Sequence, residues 1–142
     1  MTTRLARALA SLVESGQLLA KLADDGAGGR MSSVTMRAVA ALSTEGAMSV
    51  SALARRCHVT QPTMSAIVQH AEREGWMRRR GSGRTTRIEA TRAGIATRDS
   101  QREATGAVLE PRFARLGARE RATIERAAMV ITATLERDRP QR

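Results

Sequence analysis

The residue types that carry enzyme chemistry are scarce in this chain and are poorly placed for it. The 142 residues include one cysteine, Cys57, and two histidines, His58 and His70. A zinc site built from these three side chains lacks a fourth ligand, and they do not supply a nucleophile together with a base and an orienting group. Glu72 and Glu74 lie two positions apart on a helix, so they diverge and cannot act as an acid/base pair. The sequence therefore predicts no enzyme, no metal and no cofactor.

Positive charge is the chemistry that the sequence does concentrate. Lysine and arginine total 24 against 14 acidic residues, a formal charge of +10. This excess points to a polyanionic partner, and an acidic substrate, an anionic membrane surface or nucleic acid would each fit. Between residues 55 and 92, nine arginines accompany only three glutamates, so this quarter of the chain supplies most of the net charge.

The apolar residues do not form a membrane segment. No run approaches the roughly 18 apolar residues that span a bilayer, and charged residues interrupt the N-terminal segment where a signal peptide would lie. We therefore expect a cytoplasmic protein without a membrane partner. Because the chain has only one Phe, one Trp and no Tyr, its core must use aliphatic residues and its seven methionines. A pocket lined by Met and Leu would accept a flat apolar compound.

The spacing of apolar residues predicts a mainly α-helical chain with one β-hairpin. The glycine-rich segment 24–29 is expected to end the first helix, and Ser32 or Ser33, Ser49 and Thr60 are expected to begin the next three. Two short segments around the turn 81–85 predict the hairpin. The helices are expected over about 3–23, 33–45, 50–56, 60–74, 91–111 and 118–136.

Residues 50–75 have the pattern of a helix-turn-helix, and the hairpin after it makes a winged version. In the helix over 60–74, Met64, Ile67, Val68 and Ala71 are expected to face inward. A polar outer face of this size fits the major groove of DNA, where glutamine pairs with adenine through two hydrogen bonds. Arg84, near the hairpin tip, is expected to enter a minor groove, whereas Arg78, Arg79 and Arg80 would meet phosphates. The candidate DNA-binding residues are Ser49, Thr60, Gln61, Pro62, Thr63, Ser65, Gln69, Arg73, Arg79, Arg80 and Arg84.

The run from Ser49 to Ser65, followed by Glu72-Arg73-Glu74-Gly75-Trp76-Met77-Arg78-Arg79, resembles the MarR-type transcription regulators. Thr91-Arg92-Ala93-Gly94 likewise matches the threonine-x-x-glycine that opens the helix after the family's wing. The resemblance implies one domain over 1–142, with a winged helix-turn-helix core at 33–92, a recognition helix at about 60–74 and a wing at about 76–90. Segments 1–30 and 108–142 would carry the dimerisation helices.

The resemblance also implies what such a protein does. It implies a homodimer that binds double-stranded DNA at an inverted-repeat operator, with half-sites about 10–10.5 bp apart. It further implies a repressor that a small apolar or phenolic ligand releases from the operator. Ser82 stands where the family wing usually carries an aspartate, which would leave this wing shorter or less rigid. Ala66 stands where a basic residue is common, which would leave fewer base contacts.

Two other functions stay open at this point. One is a structural nucleic-acid-binding protein that coats DNA or RNA without choosing a sequence. The other is a ligand- or thiol-responsive sensor whose main partner is a protein. Cys57 stands where the family has a buried leucine, so the sequence predicts a small core residue there rather than a redox switch.

Overall fold

A computed structural model describes residues 1–27 and 31–138 of the chain. The described part is mainly α-helical with one antiparallel hairpin, which confirms the predicted fold class. Two 3-10 helices, Gly83–Thr85 and Glu110–Phe113, lie in the hairpin turn and after the fifth helix. In chain order the elements are α1 Arg4–Ala27, α2 Ser33–Glu45, α3 Val50–Arg56, α4 Gln61–Arg73, β1 Met77–Arg80, β2 Arg87–Ala90, α5 Arg92–Leu109 and α6 Ala118–Arg137.

The chain divides into two compact units. The described residues of the first are 1–27 and 100–115, which contain α1 and the second half of α5. Those of the second are 31–99 and 116–138, which contain α2, α3, α4, the hairpin, the start of α5 and α6. The predicted dimerisation segments extend into residues 28–30 and 139–142, which lie outside the described residues. None of the helices seen in 1–27 and 31–138 is long and apolar enough to cross a membrane.

Residues with hydroxyl side chains cap the N-termini of α2, α3 and α4, as the sequence predicts. Ser32, Ser49 and Thr60 each have extended backbone angles and accept a hydrogen bond from the backbone N–H three residues later, at 3.1, 3.1 and 3.3 Å. These bonds satisfy N–H groups that have no partner within the helix. At the other end of α4, Gly75 has a φ of +78°, a conformation that glycine adopts without strain.

The core of the second unit lies between α2, α3, α4 and the hairpin. Leu53 of α3, Met64 and Val68 of α4, and Ile88 of β2 are fully buried. Cys57 is only 2% exposed, which confirms it as a core residue. The core therefore fixes which side of α4 faces away from the body of this unit.

The buried side of α2 differs in part from the prediction. The spacing of apolar residues on this helix predicts that Met36, Val39, Ala40 and Leu42 face inward. Val39 and Leu42 are buried, as are Ala38 and Ala41, but Met36 and Ala40 are only half-buried. The reason is that α2 packs against both α3 and β2. Small side chains on α2 allow this close contact on two sides, which a single apolar stripe does not describe.

The first helix passes through its predicted stop. We expected it to end near Ala23, but α1 continues to Ala27 through Asp24, Asp25 and Gly26. A Cβ atom on Gly26 would lie 2.6 Å from Val108 Cγ1 of α5, so glycine permits a close approach within this unit. Packing outweighs the low helix propensity of glycine here. The predicted turn also included Gly28 and Gly29, which lie outside the described residues.

The hairpin is joined to the start of the helix-turn-helix by a bridge that the sequence did not reveal. β1 and β2 pair with Arg79 opposite Ile88. On the other side of β2, the Met48 N–H donates to the Ile88 carbonyl at 3.0 Å and the Ile88 N–H donates to the Met48 carbonyl at 2.7 Å. Because Met48 directly precedes Ser49, the cap of α3, this bridge ties the hairpin to the helix-turn-helix.

Candidate nucleic-acid interface

One side of α4 is buried and the other is exposed. Met64, Val68 and Ala71 are buried and Ile67 is half-buried, which agrees with the predicted inward face. Ser65, predicted to face outward, is half-buried. The other candidate residues on this element are all exposed, namely Thr60, Gln61, Pro62, Thr63, Gln69 and Arg73.

The polar side chains at the start of α4 already hydrogen bond within the protein. The Ser51 hydroxyl of α3 donates to Gln61 Oε1 at 3.0 Å. The Thr60 hydroxyl donates to Thr63 Oγ1 at 2.9 Å and also accepts from the Thr63 N–H. Ser51 was not among the predicted site residues, because a sequence does not show which rotamers bring two helices' side chains together.

The remaining polar residues of this helix-turn-helix divide into two kinds. Gln69 and Arg73 are exposed and make no side-chain hydrogen bond or ion pair within residues 1–27 and 31–138, so their polar groups are available to a ligand. Ser49 is half-buried, and its hydroxyl oxygen accepts from the Ala52 N–H at 3.1 Å. The structure thus places Ser49 primarily as a helix cap.

Two glutamates hold three arginines of the hairpin. Arg79 Nε lies 3.0 Å from Glu72 Oε2 of α4, and Arg80 Nε lies 3.0 Å from Glu89 Oε1 across the hairpin. Arg78 also donates to Glu89 Oε1. The hydrogen bond from Arg78, followed by the positive charges of Arg78 and Arg80, lowers the pKa of the Glu89 carboxyl. The three arginine side chains of β1 are therefore held in ion pairs with neighbouring glutamates.

The hairpin tip presents Arg84 from an ordered turn. Arg84 is exposed within the 3-10 turn Gly83–Thr85, and no ion pair to it occurs in the described part of the chain. The Ser82 carbonyl accepts from the Thr85 N–H at 3.2 Å and from the Thr85 hydroxyl at 2.8 Å. A Cβ atom on Gly81 would lie 2.8 Å from the Thr85 carbonyl oxygen. Thr85 thus closes the turn, while the Ser82 side chain makes no capping bond.

The segment after α4 is fastened to the start of α5. Thr91 donates from its N–H to the Trp76 carbonyl at 3.0 Å and from its hydroxyl to the Gly75 carbonyl. The same hydroxyl accepts from the Gly94 N–H at 3.0 Å. Gly94 packs directly on the Trp76 backbone, and the Trp76 ring meets the His70 ring edge-on at 5.7 Å between centroids. These contacts join the end of α4, the root of the hairpin and α5.

Cys57 is buried in the core, whereas His58 and His70 are exposed. Burial raises the pKa of the Cys57 thiol, while the nearby Arg37 and Arg56 act in the opposite direction. No group of three His, Cys, Asp or Glu side chains within 1–27 and 31–138 is arranged to hold a metal ion. His58 lies in the turn before α4 with a φ of +56° and is exposed.

A helix-turn-helix followed by an antiparallel hairpin defines a winged helix-turn-helix protein. A family model described as MarR family matches residues 31–88, the segment that holds this motif. Residues 31–88 are therefore similar to the MarR family, and the fold of the chain resembles that of solved MarR proteins. No curated protein matches the sequence.

Solved structures share the fold of this chain. A MarR family protein from Bacillus stearothermophilus is 18% identical with a TM-score of 0.73, over 95% of this chain and 98% of that one. Wild-type MarR from E. coli is 14% identical with a TM-score of 0.69, over 92% and 98%. MepR, a transcription regulator of the Staphylococcus aureus multidrug efflux pump MepA, is 14% identical with a TM-score of 0.62, over 87% and 93%.

Proposed function

We propose that this protein is a sequence-specific double-stranded DNA-binding transcriptional regulator. The observation that carries the proposal is α4 itself, whose apolar side is buried while its polar side is exposed beside an arginine-rich hairpin. A helix with a free polar face fits the major groove, and a cationic hairpin next to it suits the flanking backbone and minor groove. The net charge of +10 agrees with a polyanionic partner.

The candidate residues take different roles in this proposal. Gln61 and Gln69 read base edges, because amide side chains carry the hydrogen-bonding groups that distinguish bases. Arg84 enters the minor groove, where negative potential attracts an unpaired guanidinium group. Arg79 and Arg80 contact phosphates, which contributes affinity without sequence preference. The supporting contacts come from Ser49, Thr60, Pro62, Thr63, Ser65 and Arg73.

We propose that the protein acts as a homodimer on an inverted repeat. Large apolar side chains are exposed on two helices of the single chain, among them Leu5 and Leu18 on α1 and Met129 and Leu135 on α6. Exposed apolar surface of this kind is typical of a subunit interface. Two copies related by a two-fold axis would place two α4 helices on half-sites about 10–10.5 bp apart.

We further propose that the dimer is a repressor and that a small apolar or phenolic ligand releases it from DNA. A dimer on an inverted repeat that overlaps a promoter excludes polymerase from that DNA. The ligand is supported by the similarity of residues 31–88 to the MarR family and by the similar fold of MepR, a transcription regulator of a multidrug efflux pump. A reporter behind the selected operator tests both points: repression without ligand and expression with ligand are expected, and activation by the bound protein would contradict repression.

The decisive experiment is selection of bound fragments from a random double-stranded DNA library. We expect an enriched inverted repeat with two half-sites separated by about one helical turn. Affinity for the selected sequence should exceed that for scrambled DNA by at least about 10³-fold at fixed salt. A structural nucleic-acid-binding protein would instead bind all sequences with one steep salt dependence and enrich none. Absence of binding at low salt would favour a sensor whose partner is a protein.

A further inference from the structure

The side chain of Gln61 is held by a residue of the preceding helix. Ser51 lies in α3, is half-buried, and donates its hydroxyl proton to Gln61 Oε1 at 3.0 Å, while Gln61 itself is exposed. A glutamine amide carries one carbonyl oxygen that accepts and one NH2 group that donates two hydrogen bonds. With one lone pair of the oxygen bound to Ser51, both N–H donors but only one acceptor site of this amide stay available to a ligand.

We infer that Ser51 is a positioning residue that makes Gln61 a hydrogen-bond donor toward DNA, so that Gln61 selects guanine over adenine. This inference rests on the proposed sequence-specific DNA binding. Pairing with adenine requires Oε1 to accept from N6 while Nε2 donates to N7, and Ser51 competes for that oxygen. Guanine presents two acceptors, O6 and N7, on the same edge and therefore suits the free NH2 group.

The Thr63 hydroxyl, also near the start of α4, is likewise left as a hydrogen-bond donor. Thr63 Oγ1 accepts the hydroxyl proton of Thr60 at 2.9 Å, so the proton of the Thr63 hydroxyl is left for an acceptor outside the protein. The start of α4 thus presents hydrogen-bond donors at two exposed side chains, Gln61 and Thr63.

Gln69, later on the same helix, provides an internal contrast. It is exposed, and its side chain makes no hydrogen bond within the part of the chain that the structure describes. Both its oxygen and its NH2 group remain available, so Gln69 keeps the capacity to pair with adenine through two bonds. The two glutamines of α4 are therefore expected to read different bases.

The test is library selection with the wild-type protein and four single variants, followed by anisotropy titrations on the selected operator. Ser51→Ala removes the hydroxyl, Ser51→Thr keeps it, and Gln61→Ala removes the amide. Ser43→Ala is the matched control, because among the residues that the structure describes the Ser43 hydroxyl donates only to the Ala40 carbonyl of α2. Thermal unfolding of each variant verifies that it is folded before the titrations.

We expect the wild type to enrich guanine at one position of each half-site and to lose about tenfold in affinity when adenine replaces it. Gln61→Ala should abolish the preference there. Ser51→Ala should reduce or reverse it, Ser51→Thr should restore it, and Ser43→Ala should leave it unchanged. In a Gln61→Ala background, Ser51→Ala should have no further effect on base preference, because the two residues act as one unit.

Three results would overturn the inference. One is a Ser51→Ala protein that keeps the wild-type base preference, and another is a wild type that selects adenine at the position that Gln61→Ala affects. The third is a Gln61→Ala protein that loses affinity equally for all sequences, which would place Gln61 on a phosphate. Failure of the wild type to enrich any sequence would defeat the proposed function itself, so the two failures are distinguishable.

Discussion

Replacement of Gly94 by alanine tests whether the close packing of α5 on the hairpin root stabilises the fold. A Cβ atom at this position would lie 2.2 Å from the Trp76 carbonyl oxygen and 2.9 Å from the Trp76 carbonyl carbon. Real Cβ contacts are not shorter than 3.0 Å, so α5 or the Trp76 peptide must move by about 0.8 Å. The obstacle is backbone, which cannot rotate away as a flexible side chain does.

The expected cost of this change follows from three contributions. Overpacking of a buried position costs about 1–3 kcal/mol. The same shift disturbs the hydrogen bond from the Thr91 N–H to the Trp76 carbonyl, which is 3.0 Å long and contributes about 1 kcal/mol. The higher helix propensity of alanine offsets up to about 1 kcal/mol. We therefore expect Gly94→Ala to lower the free energy of unfolding by about 1–3 kcal/mol.

Gly106→Ala is the matched control on the same helix. Beyond its two chain neighbours and the nearby backbone of α5, no heavy atom of the described residues lies within 4 Å of a Cβ built on Gly106. Only helix propensity therefore changes, and the variant should gain up to about 1 kcal/mol. Urea unfolding followed by circular dichroism, at one protomer concentration for all proteins, measures both effects. A Gly94→Ala protein as stable as the wild type would refute the packing argument, whatever Gly106→Ala does.

Three further predictions concern the interface and the buried thiol. Arg84→Ala should weaken binding to the selected operator by about 1–3 kcal/mol in an anisotropy titration at fixed salt, and no loss would refute the proposed minor-groove role. Arg79→Ala should instead lower affinity evenly across sequences. Cys57 should react with iodoacetamide more slowly in the native protein than in denaturant, by about tenfold or more, because it is buried and its pKa is raised; equal rates would show an accessible thiol. Arg78 lowers the pKa of Glu89 from its ordinary value of 4.5, so its carboxylate stabilises the fold above that pH and loses this contribution as the pH falls through the lowered pKa. The difference in unfolding free energy between the wild type and Glu89→Gln should accordingly shrink in acid, and a constant difference would contradict the ion pair.

Local signals explain why most of the fold was predictable. Ser32, Ser49 and Thr60 cap helices because their hydroxyl oxygens accept from N–H groups three residues later. This interaction involves only residues close together in the sequence, so the sequence predicts it. The hairpin follows from Gly81 and Gly83, which both adopt positive φ angles in the turn. The identity of the exposed face of α4 followed equally from the spacing of its apolar residues.

The parts that escaped prediction depend on contacts between distant residues. Gly26 looked like a helix stop, yet it lies inside α1 because Val108, far along the chain, packs against it. The bridge between Met48 and Ile88 joins segments forty residues apart and involves a single residue of the first. Ser51 was overlooked as a partner of Gln61 because hydrogen bonds between side chains depend on helix packing and rotamers, which residue types alone do not determine.

The charged residues of the hairpin and the uncharged polar residues of α4 are suited to different parts of DNA binding. Ion pairs join the carboxylates of Glu72 and Glu89 to Arg78, Arg79 and Arg80. Exposed ion pairs of this kind contribute little to stability, so phosphates can replace the carboxylates at little cost. These arginines therefore suit salt-dependent attraction to any DNA. In the proposed function, sequence selection comes from uncharged side chains whose donors and acceptors match base edges, and on α4 these include the amides of Gln61 and Gln69.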